Sequence, residues 1–277
     1  MPIFVKNVIL CENICAVTFY FIFGLLHEPE RMKPLISFLL FPFAFLLTLT
    51  SCHKQKDGNF TLQLKAKYGD QSFAIHTPNT DPAGRKIQVE NLKFYLSHVT
   101  LIKTDNSETE LKDVLFCDFS NPTTLPFNCA NVTGDIKAIR LSCGVDSVQN
   151  LTDPDAVTSS NPLSGYNGMY WSWLKYQFEV LEAKADTTTT GTGTFNWHPV
   201  YHIGGNALYR TTTISKSFSV CCDTKYTLNV ALDVKKIFFG TQTLDIITEP
   251  STQCAASDNP VIAPKFVDNF SQAFSTE

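Results

Sequence analysis

Alternation of apolar and polar residues predicts β-strands over most of the chain beyond residue 59. Phe60, Leu62, Leu64 and Ala66 are separated by single polar residues, which is the period of two that is typical of a half-buried strand. Further strands are predicted at residues 71–76, 92–103, 111–119, 135–143, 169–183, 194–203, 207–214, 217–222 and 226–234. Many short strands separated by turn residues are typical of a β-sandwich.

Two segments show a helical pattern instead. Residues 234–239 predict one helical turn that ends at Gly240, and residues 264–274 predict a helix because three phenylalanines recur every four positions. Residues 169–183 are apolar on both faces, so we expect one long buried strand there. No repeat or long linker interrupts the pattern. We therefore predict one all-β domain over residues 60–277, an antiparallel β-sandwich with a short C-terminal helix.

The longest uncharged apolar stretch precedes these strands, at residues 35–49. It follows a short basic segment and ends at Leu49-Thr50-Ser51-Cys52. This layout is that of an export signal, and the stretch is short for a membrane-spanning helix, which needs about 20 residues. Its ending resembles a bacterial lipoprotein box, and that resemblance implies that Cys52 is acylated and begins the mature chain. The alternative is an ordinary signal peptide that happens to precede a cysteine.

These features divide the N-terminal part of the chain into three segments. We expect residues 32–51 to be a lipoprotein signal peptide and residues 52–59 to be the lipidated cysteine with its tether. Residues 1–31 contain a second apolar run at 14–26; we expect them to be an upstream extension, with translation starting at Met32, and an additional membrane hairpin is the alternative. The predicted location is the cell envelope, with a lipid anchor in the outer membrane.

Composition and charge exclude several classes of protein. The chain of 277 residues has 17% charged residues and a net charge of −4, so it presents no basic surface for nucleic acid. A disordered chain, a coiled coil and a collagen-like fibre do not fit this composition. The chain has no phosphate-binding loop, GxSxG or HExxH motif. No pair of carboxylates is marked out for acid–base work, and we predict that the protein is not an enzyme.

Cysteines are candidates for disulfides in the predicted domain. Of nine cysteines in the chain, six remain once the leader and the lipidated residue are set aside: Cys117, Cys129, Cys143, Cys221, Cys222 and Cys254. An even number in an exported chain suggests disulfides, whose connectivity stays open. No CxxC pair is present, which argues against zinc-ribbon and thioredoxin-like sites. Soft-metal binding is the alternative to disulfides or buried thiols.

Histidines are the remaining candidates for metal chemistry. His198 and His202 lie four residues apart in a segment that also contains Trp197 and Pro199 and favours a strand. Residues four apart on a strand share a face but are about 13 Å apart, whereas metal ligands lie about 2 Å from their ion. The two histidines therefore cannot share one ion unless Pro199 breaks the strand. Spacing leaves open whether either histidine binds a metal or both are structural.

Six segments occur together in a characteristic order. They are residues 92–102 (LKFYLSHVTLI), 144–150 (GVDS followed by Asn150), 168–178 (GMYWSWLKYQF), 201–205 (YHIGG), 232–238 (LDVKKIF) and 267–274 (VDNFSQAF). In this combination the chain resembles the MbnP-like copper-binding family, the methanobactin-partner proteins and their lipoprotein relatives. The resemblance covers roughly residues 60–274 and implies an exported, β-rich domain.

The resemblance also implies a copper site. In the best-understood relatives two histidines and a tryptophan oxidised to kynurenine hold the metal, and the tryptophan lies two residues before one histidine. The implied ligand here is His202 of the YHIGG segment, with His98 or His198 as a further ligand. Three tryptophans are implied to lie near the metal: Trp171, Trp173 and Trp197. The expected partners are the membrane, through the lipid anchor, and a protein that donates or accepts copper.

One departure from the family pattern supports a different function. The chain has no Trp-x-His sequence, because Trp197 directly precedes His198, and Trp171 and Trp173 have no neighbouring histidine. The alternative function is therefore a metal-free structural or interaction module of the cell envelope on the same scaffold.

Overall fold

The computed structural model describes residues 60–120, 122, 124–129, 132–191, 194–221, 224–249 and 259–277, together with the backbone of residues 252–254. These residues fall within one compact unit, Lys56–Glu277. The predicted signal peptide, the lipidation site at Cys52 and the tether lie outside the described residues, as does Cys222. Among the described helices, none has the length and apolar character needed to cross a membrane.

The described part of the chain is built from strands, two α-helices and short 3-10 turns. In chain order the elements are β1 (Phe60–Tyr68), β2 (Gln71–Ser72), β3 (Pro78–Thr80), β4 (Lys86–Lys103), β5 (Glu108–Asp118), β6 (Thr124–Cys129), β7 (Gly134–Cys143), β8 (Tyr170–Trp171), β9 (Lys175–Ala185), β10 (Val200–Gly204), β11 (Arg210–Val220), β12 (Tyr226–Asp233), α1 (Val234–Phe238), β13 (Thr252–Cys254), α2 (Ile262–Gln272) and β14 (Phe274–Thr276).

The smaller sheet has the strand order β14-β12-β1-β2, and β6 also pairs with β1. Strands β1 and β12 run parallel, with Phe60 opposite Tyr226, and the other pairs are antiparallel. Along β1, buried residues alternate with half-buried ones, as the sequence pattern predicts. One face of this sheet therefore lies against the core.

The larger sheet is organised around β4, a strand of 18 residues. Its order is β11-β7-β4-β9-β10-β13, and β3 and β5 pair with β4 as well. Strands β9 and β7 follow one another along one edge of β4, and β3 and β5 follow one another along the opposite edge. All pairs in this sheet are antiparallel except β10 with β13. The prediction of an antiparallel sandwich is confirmed, with two parallel pairs added.

Helix α2 contributes two aromatic rings, Phe266 and Phe270, to the main core. The Phe266 ring stacks on Tyr201 of β10 with centroids 5.1 Å apart, and the Phe270 ring meets Phe94 of β4 edge-on at 5.2 Å. Burying a side chain of this size stabilises a fold by about 1.5–3 kcal/mol. The predicted C-terminal helix is confirmed, starting and ending two residues earlier than expected. The predicted turn at 234–239 is α1, which Asp233 caps by accepting a hydrogen bond from the Lys235 N–H.

A second apolar cluster lies on the outer face of the larger sheet. The β7–β8 loop (residues 144–169) folds back over this face and buries side chains from both the loop and the strands. Its members are Tyr95, Val145, Leu163, Met169, Tyr176, Phe178 and Val180. The Tyr176 hydroxyl donates to the Leu163 carbonyl at 2.6 Å. This part of the sheet is therefore buried on both faces, and the loop brings its polar residues next to β4 and β5.

Strand boundaries differ from the predicted ones in several places. The predicted strand at 71–76 is reduced to β2, which contains only Gln71 and Ser72. The predicted strand at 169–183 is divided into β8 and β9 by a turn at residues 172–174, and Lys175 has a φ of +68°. The predicted strand at 194–203 is reduced to β10. The predicted strands at 207–214 and 217–222 form one strand, β11, whose register against β7 shifts between Ser215 and Phe218. Strands β3, β6, β13 and β14 have no counterpart among the predictions.

The described cysteines form no disulfide. Cys117, Cys129 and Cys143 are buried free thiols, and Cys221 is an exposed one. Cys117 lies opposite Phe94 and Cys143 opposite Leu96 on β4, so both point into the main core. Burial raises the pKa of each of these two thiols. The prediction of disulfides is wrong for these four residues, since the core ones act as small apolar side chains. The side chains of Cys222 and Cys254 lie outside the described part.

Candidate metal centre

His202 lies on the outer face of the larger sheet, at the centre of β10. Its neighbours Tyr201 and Ile203 point into the main core, so alternation along the strand directs the imidazole to the opposite face. The side chain is 13% exposed. Its Nε2 atom lies 2.7 Å from Oε1 of Glu182, which projects from β9. The imidazole is therefore held in a defined orientation by a carboxylate.

The second ring nitrogen of His202 is buried and has no hydrogen-bond partner among the described residues. A carboxylate accepts hydrogen bonds, so the contact with Glu182 places the proton of a neutral imidazole on Nε2. Nδ1 then carries a free lone pair. A histidine that donates one N–H to a carboxylate and offers the other nitrogen has the arrangement of a metal ligand.

Two tryptophans lie beside this imidazole. The ring of Trp171 meets His202 at a centroid distance of 5.1 Å and an angle of 62°, and Trp173 stacks on Trp171 at 5.5 Å. Both belong to the β8–β9 hairpin, and residues 170–173 of this hairpin line a shallow surface depression. Trp173 is 62% exposed. The hairpin thus places one indole against the histidine and a second at the protein surface.

His98 lies in a separate cluster of acidic residues. It occupies a bulge in β4 with a φ of +48°. Nδ1 lies 3.3 Å from Glu110 Oε1 and 3.7 Å from Asp113 Oδ1, and Nε2 lies 2.9 Å from Asp146 Oδ2. Partial burial lowers the pKa of His98, but hydrogen bonds to Asp146 and Glu110 outweigh it, and the net pKa is raised above the usual value.

The structure does not bring His98 and His202 together. His202 lies opposite Val180 of β9, which lies opposite Lys93 of β4. His98 is five residues further along β4, about 17 Å at the usual rise per residue, and β10 is two strands away, about 10 Å. Metal ligands lie about 2 Å from their ion, so the two histidines cannot hold one ion in this fold.

His198 and Trp197 also lie away from His202. Trp197 forms an isolated bridge with Ala185, five residues along β9 from the position opposite His202. Its indole N–H donates to the Ile246 carbonyl at 2.6 Å, which is a structural role. His198 is exposed and precedes β10. Of the predicted site residues, the structure therefore groups His202 with Trp171 and Trp173.

The carboxylates that contact the two histidines, Glu182 and Asp146, could not be identified as their partners from the sequence. Glu182 is 20 residues from His202, and Asp146 is 48 residues from His98. No metal-binding motif has these spacings. Their proximity depends on strand register and on the path of the β7–β8 loop, which a linear pattern does not contain.

Comparisons with known proteins identify the family of the chain and a solved structure with a similar fold. A sequence model of the MbnP family matches residues 57–256. Among solved structures, MbnP from Methylosinus trichosporium is similar, with a TM-score of 0.50 and 14% sequence identity over 76% of this chain and 87% of that chain. Among proteins of curated function, no significant match is found. The family match extends over well more than half of the sequence, from the start of β1 to the end of β13, and the chain therefore belongs to the MbnP family.

Proposed function

We propose that this protein binds one copper ion at His202 and holds it for sequestration or transfer in the cell envelope. The observation that carries the proposal is the buried Nδ1 atom of His202, which has no partner among the described residues. Neutral imidazole is a good ligand for Cu(I) and Cu(II). The leader sequence supports the location, because it predicts a lipid anchor at Cys52. Copper is cargo here, and the protein performs no reaction on it.

The surroundings of His202 suit a metal that is held and then released. Glu182 fixes the proton on Nε2 and so directs the lone pair of Nδ1. The Trp171 ring covers the imidazole and limits the access of water. Among the described residues, no group of three histidine, cysteine, aspartate or glutamate side chains that could hold an ion includes His202. One imidazole occupies one coordination position of a copper ion, so a donor or acceptor protein can supply the others.

Copper titration tests the assignment. We expect the full-length chain in detergent to bind one Cu(I) under reducing conditions, measured by competition with a chromophoric chelator. His202→Gln should weaken binding at least about tenfold, because it removes the ligand nitrogen. Trp171→Phe should retain binding but lose part of the quenching of tryptophan fluorescence by the metal.

His198→Gln is the matched control, because it removes an exposed histidine four residues away. It should leave the affinity within about twofold of the wild-type value. Equal affinities for His202→Gln and the wild type would show that copper is not bound at this histidine.

One observation favours a second candidate function, a metal-free interaction module. Large apolar side chains are exposed on the β7–β8 loop and the adjoining hairpin: Val148, Leu151, Tyr166 and Trp173. Exposed apolar groups on one side of a protein often mark a contact surface. This alternative predicts that protein purified from its own host contains no copper and that added copper leaves its melting temperature unchanged.

A further inference from the structure

The cluster around His98 has the donor set of a second metal site. One nitrogen of His98 and one oxygen each from Glu110 and Asp113 lie within 4.8 Å of one another. Nδ1 is 3.3 Å from the Glu110 oxygen and 3.7 Å from the Asp113 oxygen. Ligands about 2.1 Å from a tetrahedral ion are separated by about 3.4 Å. The two distances from Nδ1 are therefore close to the separation of ligands around one ion.

The outer contacts of His98 are those of a ligating histidine. Nε2 lies 2.9 Å from Asp146 Oδ2 and donates a hydrogen bond to this oxygen, so Nδ1 faces Glu110 and Asp113. Asp146 is itself fixed, since its other oxygen accepts from the N–H groups of Val148 and Gln149 at 2.8 and 2.7 Å. A carboxylate that orients a histidine in this way is characteristic of the second coordination shell of metal sites.

Gln149 connects the histidine support with one of the carboxylates. Its side-chain oxygen accepts from the Asp146 N–H at 3.0 Å, and its Nε2 donates to Asp113 Oδ1 at 2.8 Å. Gln149 is itself buried. The start of the β7–β8 loop therefore orients Asp113 as well as His98, and the side chains of both Asp113 and Glu110 are solvent-exposed.

We propose that His98, Glu110 and Asp113 bind a divalent transition-metal ion, with Zn²⁺ as the probe of this site. One imidazole and two carboxylates supply a nitrogen and two hard oxygens with two negative charges, which suits a borderline divalent cation and disfavours Cu(I). The ion takes the place of the proton on Nδ1. This site is distinct from the copper site proposed at His202, because strand register separates the two histidines.

Zinc binding by the full-length chain in detergent tests the proposal. The measurement is competition with a zinc-sensitive chelator, carried out on the His202→Gln background so that the first site contributes nothing. We expect one Zn²⁺ per chain at micromolar concentrations. His98→Asn should weaken binding about a hundredfold, and Glu110→Gln and Asp113→Asn should each weaken it at least about tenfold. Asparagine is chosen at position 98 because it tolerates the left-handed backbone.

Glu108→Gln is the matched control on the same strand, since it removes an equal charge from a carboxylate that pairs with Arg140 instead. It should bind Zn²⁺ as the His202→Gln background does. Circular dichroism and thermal melting in the presence of a chelator show whether each variant is folded. Because Glu110 is exposed, Glu110→Gln is expected to fold and to test the site even if His98→Asn unfolds. The proposal is overturned if no Zn²⁺ binds, or if Glu110→Gln and Asp113→Asn bind it as tightly as Glu108→Gln. Zinc binding that persists in His202→Gln supports this site independently of whether that variant loses copper.

Discussion

Replacing Gly144 with alanine is expected to destabilise the protein by about 3 kcal/mol or more. Gly144 is the first residue of the β7–β8 loop and has a φ of +94°, a conformation that costs other residues about 1–2 kcal/mol. A Cβ atom at this position would lie 2.4 Å from Cδ2 of Phe178 and 2.6 Å from its Cγ. Because Phe178 is buried in the outer cluster, it cannot move aside without disturbing the packing.

Gly168→Ala is the matched control for this prediction. Gly168 lies in the same loop and also has a positive φ, of +68°, but a Cβ there meets nothing within 4 Å. Its variant should lose only the backbone contribution, about 1–2 kcal/mol. Chemical denaturation of both variants gives the difference, which measures the steric overlap alone. Equal decreases in the free energy of unfolding for the two variants would show that the Phe178 ring moves without loss of stability.

Gly144 also contributes to the geometry of the proposed zinc site. Gly144 precedes Asp146 by two residues, and its N–H donates to the Tyr95 carbonyl at 2.9 Å. This contact sets where the loop leaves β7 and therefore where Asp146 meets His98. The positive φ of Gly144 thus helps to position the Asp146 carboxylate beside His98.

The sheet strands are predictable where one face is polar. The alternation in β1 sets its register because a shift by one residue would expose Phe60, Leu62 and Leu64. The helical spacing of Phe266 and Phe270 likewise predicts α2, since both rings are buried in the core. In these segments local pattern and burial agree.

Prediction is less successful where apolar residues occupy both faces. Residues 169–183 give no alternation, so the turn that separates β8 from β9 has no apolar–polar signal, and neither glycine nor proline marks it. This turn places Trp171 against His202. The pairing joins residues 31 positions apart, and it depends on the pairing of β8, β9 and β10. The residue types of the proposed copper site are therefore predictable from the sequence, but the grouping of these residues requires the fold.

Replacing Glu179 with glutamine is expected to remove a strong pH dependence of folding stability. Glu179 is fully buried in the main core, and neither carboxylate oxygen has a hydrogen-bond partner among the described residues. Burial raises the pKa of this carboxyl well above its usual value, and Arg210 lowers it only in part. The Arg210 guanidinium is engaged by Asp268 at 2.6 Å instead. The native carboxyl is therefore protonated at pH values where the unfolded one has lost its proton.

The sign of the effect follows from the protons bound in each state. Above the ordinary pKa of glutamate, near 4.5, the folded protein binds one proton more than the unfolded chain. The free energy of unfolding of the wild type therefore falls as pH rises, by up to about 1.4 kcal/mol per pH unit, until the folded carboxyl ionises. Glu179→Gln has no titrating group here, so its stability relative to the wild type should increase steadily as the pH rises above the ordinary pKa of glutamate.

Denaturant unfolding at several pH values measures this difference. Asp70→Asn is the control, since Asp70 is an exposed carboxylate in the turn between β1 and β2, and its profile should follow that of the wild type. Glu179→Met should be at least as stable as Glu179→Gln, because it also removes the buried polar atoms that lack partners. A wild-type profile parallel to that of Glu179→Gln would mean that the carboxyl has the same pKa in the folded and unfolded states, which would contradict the prediction. The dependence of the unfolding free energy on pH thus shows whether the buried Glu179 side chain is a neutral carboxylic acid or an ionised carboxylate. Its burial alone does not determine this protonation state.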